Sequence, residues 1–249
     1  MPLAATRDAG NRANPLWSKF RTEMIQTLDW PIVRRLGKQR YLFLSLILFL
    51  LTGPVVGPGD TPIGRIAMYS ILTLVVITGP LAASRGIASL IFTFALAFLM
   101  LVLGFFSSAL DFAKTGLFSN ILGILFFGFL SGLLLRNLLF ASEKVNAETL
   151  WMAVNVYILV GLFFAFLYAA VAFADPQMFV GKITNAPLRD QMYGFVYFSF
   201  VTLTTLGYGD ITPNNIVVGT LTYMEALIGQ LYVAIMIARL VGLYSVRNN

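Results

Sequence analysis

Residues 205–210 have the sequence TLGYGD, and this strip constrains the fold more than any other part of the chain. Gly207 and Gly209 flank an aromatic residue, so the backbone there can leave helical and strand geometry. If the carbonyls of residues 205–208 point toward a shared axis, four copies form stacked rings of oxygen atoms. The side chains of Leu206 and Tyr208 would pack away from that axis. The strip is therefore predicted to be a selectivity filter that replaces the water shell of a dehydrated potassium ion.

The segment before the strip is an apolar and aromatic run, residues 193–204, long enough for a short helix. Its hydroxyl residues are expected to support the strip from behind, and they are Ser199, Thr202 and Thr204. The C-terminal end of such a helix would direct partial negative charge at an ion below the strip. The alternative is a plain Gly-Tyr-Gly turn between two membrane helices, with no part in conduction.

Residues 197–213, YFSFVTLTTLGYGDITP, resemble the pore signature of tetrameric potassium channels. The resemblance implies a re-entrant pore helix followed by a filter, with Asp210 at the outer mouth, where it attracts cations. Common members of the family carry valine or isoleucine at the position of Leu206, which changes only the outward packing. The expected ion ligands are the backbone oxygens of Thr205, Leu206, Gly207, Tyr208 and Gly209.

Position 201 departs from a frequent feature of that family. Relatives often have a glutamate four residues before Thr205, which pairs with the acid that follows the filter. This chain has Val201 there, so the pairing is absent and the filter must be stabilised in another way. Over the first 150 residues the resemblance is only architectural, to six-span prokaryotic potassium channel-like proteins.

The composition suits a membrane protein, because 58% of the residues are hydrophobic and only 11% are charged. The chain contains no histidine and no cysteine, which excludes disulfides, the usual zinc ligands, and thiol or imidazole catalysis. We therefore expect an all-α membrane protein that is not an enzyme, with no cofactor other than potassium ions in the filter.

Six apolar spans are predicted, each near the ~20 residues needed to cross a bilayer. They cover residues 39–56, 66–83, 87–107, 117–135, 150–174 and 215–244. The pair Gly79-Pro80 is expected to kink or end the second span.

Four regions follow from these spans. Residues 1–38 form a basic N-terminal segment, in which residues 15–29 are either a helix on the inner membrane surface or a loosely ordered tail. Residues 39–135 form a four-helix domain. Residues 136–149 form a cytoplasmic linker, and residues 150–249 form the pore domain.

Basic residues predict the orientation of the chain. Thirteen of the 17 Lys and Arg residues lie before the first span, after the second and fourth spans, or toward the C-terminus. Both termini are therefore expected in the cytoplasm, and the strip near the outer face of the plasma (inner) membrane. The net charge of +6 is interpreted as a topology signal, and nucleic acid is not an expected partner.

The fourth span lacks the charges of a conventional voltage sensor. Such a sensor needs several basic residues, because moving one charge through 100 mV gains only about 2.3 kcal/mol. Residues 117–135 contain none, and Arg136 stands alone at the inner end. Gating by these helices through voltage is not expected.

The filter motif occurs once in the chain, and one copy cannot close a ring of carbonyls. The expected assembly is a homotetramer in the lipid bilayer, in which three identical subunits complete the pore.

Two residues of the last span have competing interpretations. Glu225 is predicted to lie behind the filter against the pore helix, bonded to Thr or Tyr hydroxyls or protonated; the alternative places it near the interface. Gly229 follows Gly209 by twenty residues, a spacing that resembles the hinge glycine of simple prokaryotic channels. Close helix packing would explain Gly229 equally well.

One face of the last span is predicted to line a water-filled cavity and a gate that closes by dewetting. Its residues are Gln230, Val233, Ile237 and Val241. Gln230 suits a wet cavity, and the alternative for it is a buried amide that bonds another helix.

The sequence thus favours a potassium-selective channel. Two alternatives stay open at this point: a weakly selective cation channel, and a membrane scaffold subunit whose pore does not conduct. A membrane enzyme is disfavoured, since no histidine, cysteine or paired intramembrane acids offer the chemistry.

Overall fold

The structure, a computed structural model, describes residues 38–56, 62–84, 86–110, 113–140, 147–181 and 191–245. From residue 39 onward the chain forms one compact unit, Gln39–Asn249. The basic N-terminal segment, except for Lys38, and the surface helix expected at residues 15–29 lie outside the described residues.

Most of the described residues lie in apolar helices. This is expected in a bilayer, because lipid offers no hydrogen-bond partners and a helix satisfies its backbone polar groups internally. In chain order they are α1 (Lys38–Val56), α2 (Pro62–Ala83), α3 (Ile87–Leu110), α4 (Ala113–Leu139), α5 (Ala147–Ala174), α6 (Gln191–Leu203) and α7 (Ile216–Ser245). Among the described residues, four helical stretches are long and apolar enough to cross a membrane: Ile87–Phe105, Gly116–Leu139, Ala147–Ala174 and Ile216–Arg239.

The first two predicted spans are helical, but within the described residues neither is long and apolar enough to count as a candidate membrane span. The apolar part of α2 is shorter, Ala67–Ala83, and α1 is not among the candidate spans. A count of six spans therefore stays a prediction. Gly79-Pro80 does not end the second span, because Pro80 lies inside α2, which continues to Ala83. The fourth helix also runs past Leu135 into the segment assigned to the linker.

Helices α4 and α5 pack closely because glycines on α4 face phenylalanines on α5. A side chain at Gly123 would overlap the ring of Phe166, and one at Gly128 would come within 3.1 Å of Phe163. The ring of Phe127 stacks on Phe166 with centroids 5.2 Å apart. This contact joins the four-helix domain to the pore domain.

Polar contacts join the same two domains at the ends of the helices. The amide of Asn155 on α5 donates to the carbonyl of Gln39 on α1 over 2.8 Å. The side chain of Gln39 in turn donates to the carbonyl of Ala82, at the C-terminal end of α2. Arg239 on α7 donates to the carbonyl of Leu139, the last residue of α4, over 2.9 Å. Orphan carbonyls at two helix ends are thereby satisfied by side chains of other helices.

A short antiparallel ribbon, not predicted from the sequence, lies between α5 and α7 in the chain. Its strands are β1 (Phe179–Gly181) and β2 (Ile211–Pro213), and Val180 is paired with Thr212. A single 3-10 turn, Pro176–Met178, leads into β1 and is capped by the side chain of Asp175. Because β2 begins directly after Asp210, the ribbon fixes the chain at the far end of the TLGYGD strip.

Candidate functional site

Helix α6 anchors the start of the strip through backbone hydrogen bonds. The N–H groups of Leu206 and Gly207 both donate to the carbonyl of Val201, over 2.9 and 3.2 Å, and the N–H of Thr205 donates to Thr202 over 2.9 Å. These donors point back into the helix end. Val201, which lacks the carboxylate of many relatives, thus contributes its backbone oxygen instead of a side chain.

Every second residue of the strip has a left-handed backbone. The φ angles of Thr205, Gly207 and Gly209 are 58°, 58° and 75°, whereas Leu206 and Tyr208 do not have positive φ. Alternation of this kind allows successive carbonyl oxygens to point to one side, and rings of backbone carbonyls bind dehydrated cations. Thr205 is β-branched, and such a residue rarely adopts positive φ, so this conformation is strained. Strain of this type is concentrated at functional sites.

The hydroxyl residues predicted to support the strip lie on α6 or just beyond it. Ser199 and Thr202 are buried, whereas Thr204 is exposed and its hydroxyl donates to the carbonyl of Phe200 over 2.6 Å. Helix α6 begins at Gln191, two residues before the predicted start. The helix is therefore present as expected, while its role as a pore helix stays a prediction.

In a single chain the large side chains of the strip are exposed. The side chains of Leu206 and Tyr208 are 54% and 66% exposed, although both are large and hydrophobic. Within the described residues, no cluster of three or more Asp, Glu, His or Cys could hold a metal ion.

Asp210 is held by a residue that the sequence analysis missed. The hydroxyl of Tyr197 on α6 donates to Oδ2 of Asp210 over 3.0 Å. On the other side, Gly181 of β1 has φ of 124°, and a Cβ there would overlap the carbonyl oxygen of Asp210. Helix α6 and the ribbon thus clamp the strip at its end. An aromatic hydroxyl four residues before Val201 was the available signal for this contact.

Tyr197→Phe should loosen the end of the strip at Asp210, because it removes the hydroxyl and keeps the ring. We expect ion flux that starts normally and then declines faster than in the wild type during sustained recording. Tyr41→Phe on α1 is the matched control and should behave like the wild type. Unchanged kinetics in Tyr197→Phe would show that the bond to Asp210 does not stabilise the strip.

Glu225 lies where α5, α6 and α7 meet, and its side chain is fully buried. It accepts a hydrogen bond from the hydroxyl of Tyr168 on α5 at 2.6 Å, and its other oxygen lies 2.5 Å from the hydroxyl of Ser199 on α6. Helix α7 already begins at Ile216, so the later helix start assumed by the alternative position near the interface is not observed. The expected tyrosine partner is present, and serine takes the place of the expected threonine.

Gly229 faces the end of α6. A Cβ at this position would overlap the carbonyl oxygen of Leu203, and the hydroxyl of Tyr157 donates to the same oxygen over 3.2 Å. Helix α7 continues through Gly229 without interruption. These contacts support the close-packing explanation, and the hinge stays a prediction.

Gln230 lies beside the inner end of the strip. Its side-chain amide donates to the hydroxyl of Thr205 over 3.2 Å, and the residue is exposed in the chain. Both interpretations of Gln230, the wet cavity and the buried amide, stay predictions. Further along α7, the predicted gate residues are also exposed, at 43%, 58% and 63% for Val233, Ile237 and Val241. Their role in a gate stays a prediction.

Comparison with known proteins gives a family for this region. The sequence pattern of a family described as "Ion channel" matches residues 152–245, which include α6, the strip and most of α5 and α7. Protein LctB of Bacillus caldotenax is 30% identical over 105 residues, which cover 41% of this chain and 76% of that protein. Protein LctB of Geobacillus stearothermophilus is 29% identical over 104 residues, with the same coverage. No solved structure matches the chain at a significant level. The chain is therefore a multi-pass membrane protein that belongs to an ion-channel family of the tetrameric potassium-channel type.

Proposed function

We propose that this protein is a potassium-selective channel subunit whose filter is the strip 205–209. The observation that carries the proposal is the left-handed backbone at Thr205, Gly207 and Gly209, together with N–H groups that bond back to α6. With the donors turned into the helix, the carbonyls are left to face an ion. Rings of such carbonyls replace the hydration shell of potassium.

Four chains are needed to close those rings. The exposed side chains of Leu206 and Tyr208 are available for contact with neighbouring subunits. In the tetramer α6 acts as the pore helix and Asp210 lies at the outer mouth. The exposed face of α7 from Gln230 to Val241 lines the cavity and the gate.

Voltage sensing by the first four helices is not part of the proposal. Helix α4 contains only two basic residues, Lys114 and Arg136, near its two ends. Several charges at regular intervals are needed to make opening steeply voltage-dependent. We place the six-span subunit in the plasma (inner) membrane with both termini in the cytoplasm, as the distribution of Lys and Arg favours. It acts as a passive channel and not as an enzyme.

Flux into liposomes that contain the purified full-length protein tests the proposal. We expect potassium to enter at least about tenfold faster than sodium, a preference that corresponds to about 1.4 kcal/mol. Protein-free liposomes prepared in the same way are the control. Equal rates for the two ions would indicate a weakly selective cation channel, and no flux of either ion would indicate a scaffold subunit.

A further inference from the structure

Behind the strip, a buried series of oxygen atoms connects α5, α6 and α7. The hydroxyl of Tyr168 bonds one oxygen of Glu225, and the other carboxyl oxygen contacts the hydroxyl of Ser199. The same hydroxyl of Ser199 also lies 2.7 Å from the carbonyl oxygen of Gly161 on α5. Glu225, Ser199 and Tyr168 are all fully buried.

The number of hydrogens in this series determines the charge of Glu225. A serine hydroxyl has one hydrogen and donates one full hydrogen bond, and a backbone carbonyl can only accept. The hydrogen of Ser199 must therefore point to Gly161 if that short contact is a hydrogen bond. The contact between Ser199 and Glu225 then needs its hydrogen from the carboxyl group. With an ionised carboxylate, one of the two contacts of Ser199 would join two acceptor oxygens without a hydrogen between them.

The surroundings of Glu225 agree with an uncharged side chain. Both partners of its carboxyl group are neutral hydroxyls, and an isolated ionised carboxylate in an apolar interior is strongly unfavourable without a cation or further donors. Among the described residues, Tyr157 on α5 is a further titratable side chain that a charge on Glu225 would affect. It too is neutral at physiological pH, since tyrosine loses its proton only near pH ~10.

We propose that Glu225 is a protonated positioning residue, which donates to Ser199 and so holds α6 in the place that the filter requires. This inference rests on the proposed function for its effect on conduction. Ser199 lies four residues before the C-terminal end of α6, and the next residues form the strip. If Glu225 lost its proton, the single hydrogen of Ser199 could bond either Glu225 or Gly161, but not both. Rising pH should therefore release α6 from α5 and reduce conduction, while the neutral form at lower pH conducts.

Glu225→Gln tests the role of the proton, because a glutamine amide can donate to Ser199 and accept from Tyr168 but does not titrate. With the same pH on both sides of liposomes, wild-type potassium flux should fall at least about tenfold from pH ~7 to pH ~9.5, because the buried hydrogen bond from Ser199 to the carbonyl of Gly161 is lost. Glu225→Gln should conduct at both values with little change. Glu148→Gln, in the first turn of α5, is the matched control and should keep the wild-type pH dependence.

Infrared spectroscopy separates this inference from the proposed function, because it needs no conduction. At neutral pH the full-length protein should show the C=O stretch of a buried protonated carboxylic acid, which Glu148→Gln keeps and Glu225→Gln lacks. If the band is absent, or survives in Glu225→Gln, the inference is overturned whether or not the protein conducts. A band with the expected behaviour in a protein without flux would support the protonated carboxyl and refute the channel. Equal pH dependence of flux in the wild type and Glu225→Gln would refute the positioning role.

Discussion

Gly207→Ala is expected to abolish potassium flux while leaving the helices of the protein intact. Gly207 has φ of 58°, and no other atom of the chain lies within 4 Å of the place where a Cβ would be added. Within a single chain the effect therefore comes from the backbone. A left-handed conformation is unfavourable for alanine by roughly 1–2 kcal/mol, and in a tetramer this free energy applies once per subunit. Rotation of the peptide group relieves the strain and turns a carbonyl away from the ion.

Flux into liposomes, helix content by circular dichroism and subunit number by size measurement together check this expectation. Gly219→Ala on α7 is the matched control, because Gly219 does not have positive φ and a Cβ there meets no atom within 4 Å. The control should conduct, and both variants should keep the wild-type helix content. Normal flux in Gly207→Ala would exclude the strip as the ion pathway.

Gly229→Ala is expected to separate α7 from the end of α6 and to destabilise the protein. The added Cβ would overlap the carbonyl oxygen of Leu203, a backbone atom that also accepts a hydrogen bond from Tyr157. Neither α6 nor α7 can give way as a flexible side chain could. Overpacking of this kind typically costs about 1–3 kcal/mol, and here it acts two residues before the strip begins.

Thermal unfolding in detergent, measured beside potassium flux, distinguishes packing from hinge motion at Gly229. If Gly229 serves packing, Gly229→Ala should lower both the unfolding temperature and the flux, and Gly219→Ala on the same helix should lower neither. If it serves only as a hinge, Gly229→Ala should change channel opening and leave the unfolding temperature at the wild-type value. The second pattern would contradict the packing role.

The sequence predicted those parts of the site that depend on local chemistry. The helix before residues 205–210 was predicted from its apolar and aromatic run, and the two glycines predicted the departure from helical and strand geometry that Gly207 and Gly209 show. Glu225 was placed correctly against α6, since a carboxyl group inside an apolar span needs a partner. The helix ends near Ala174 and Ile216 were also predicted, from the limits of the apolar spans 150–174 and 215–244.

Contacts that depend on the path of the chain were not predicted. Tyr197 and Asp210 meet only because the strip turns back along α6. Strands of three residues, such as β1 and β2, show no periodic pattern, so the ribbon could not be recognised. Arg239 was counted only as a positive charge near the C-terminus. Its partner, the carbonyl of Leu139, lies 100 residues earlier in the chain, so no local pattern indicated this contact.

The hydrogen bond from Arg239 to Leu139 has a mechanical consequence. It ties the stretch of α7 just after Ile237 to the final turn of α4, and Leu138 of that turn packs with Met236 of α7. A shift of α4 along the membrane normal would therefore pull directly on the lower part of α7. Although α4 has no row of charges to respond to an electric field, its C-terminal end is thus connected mechanically to α7.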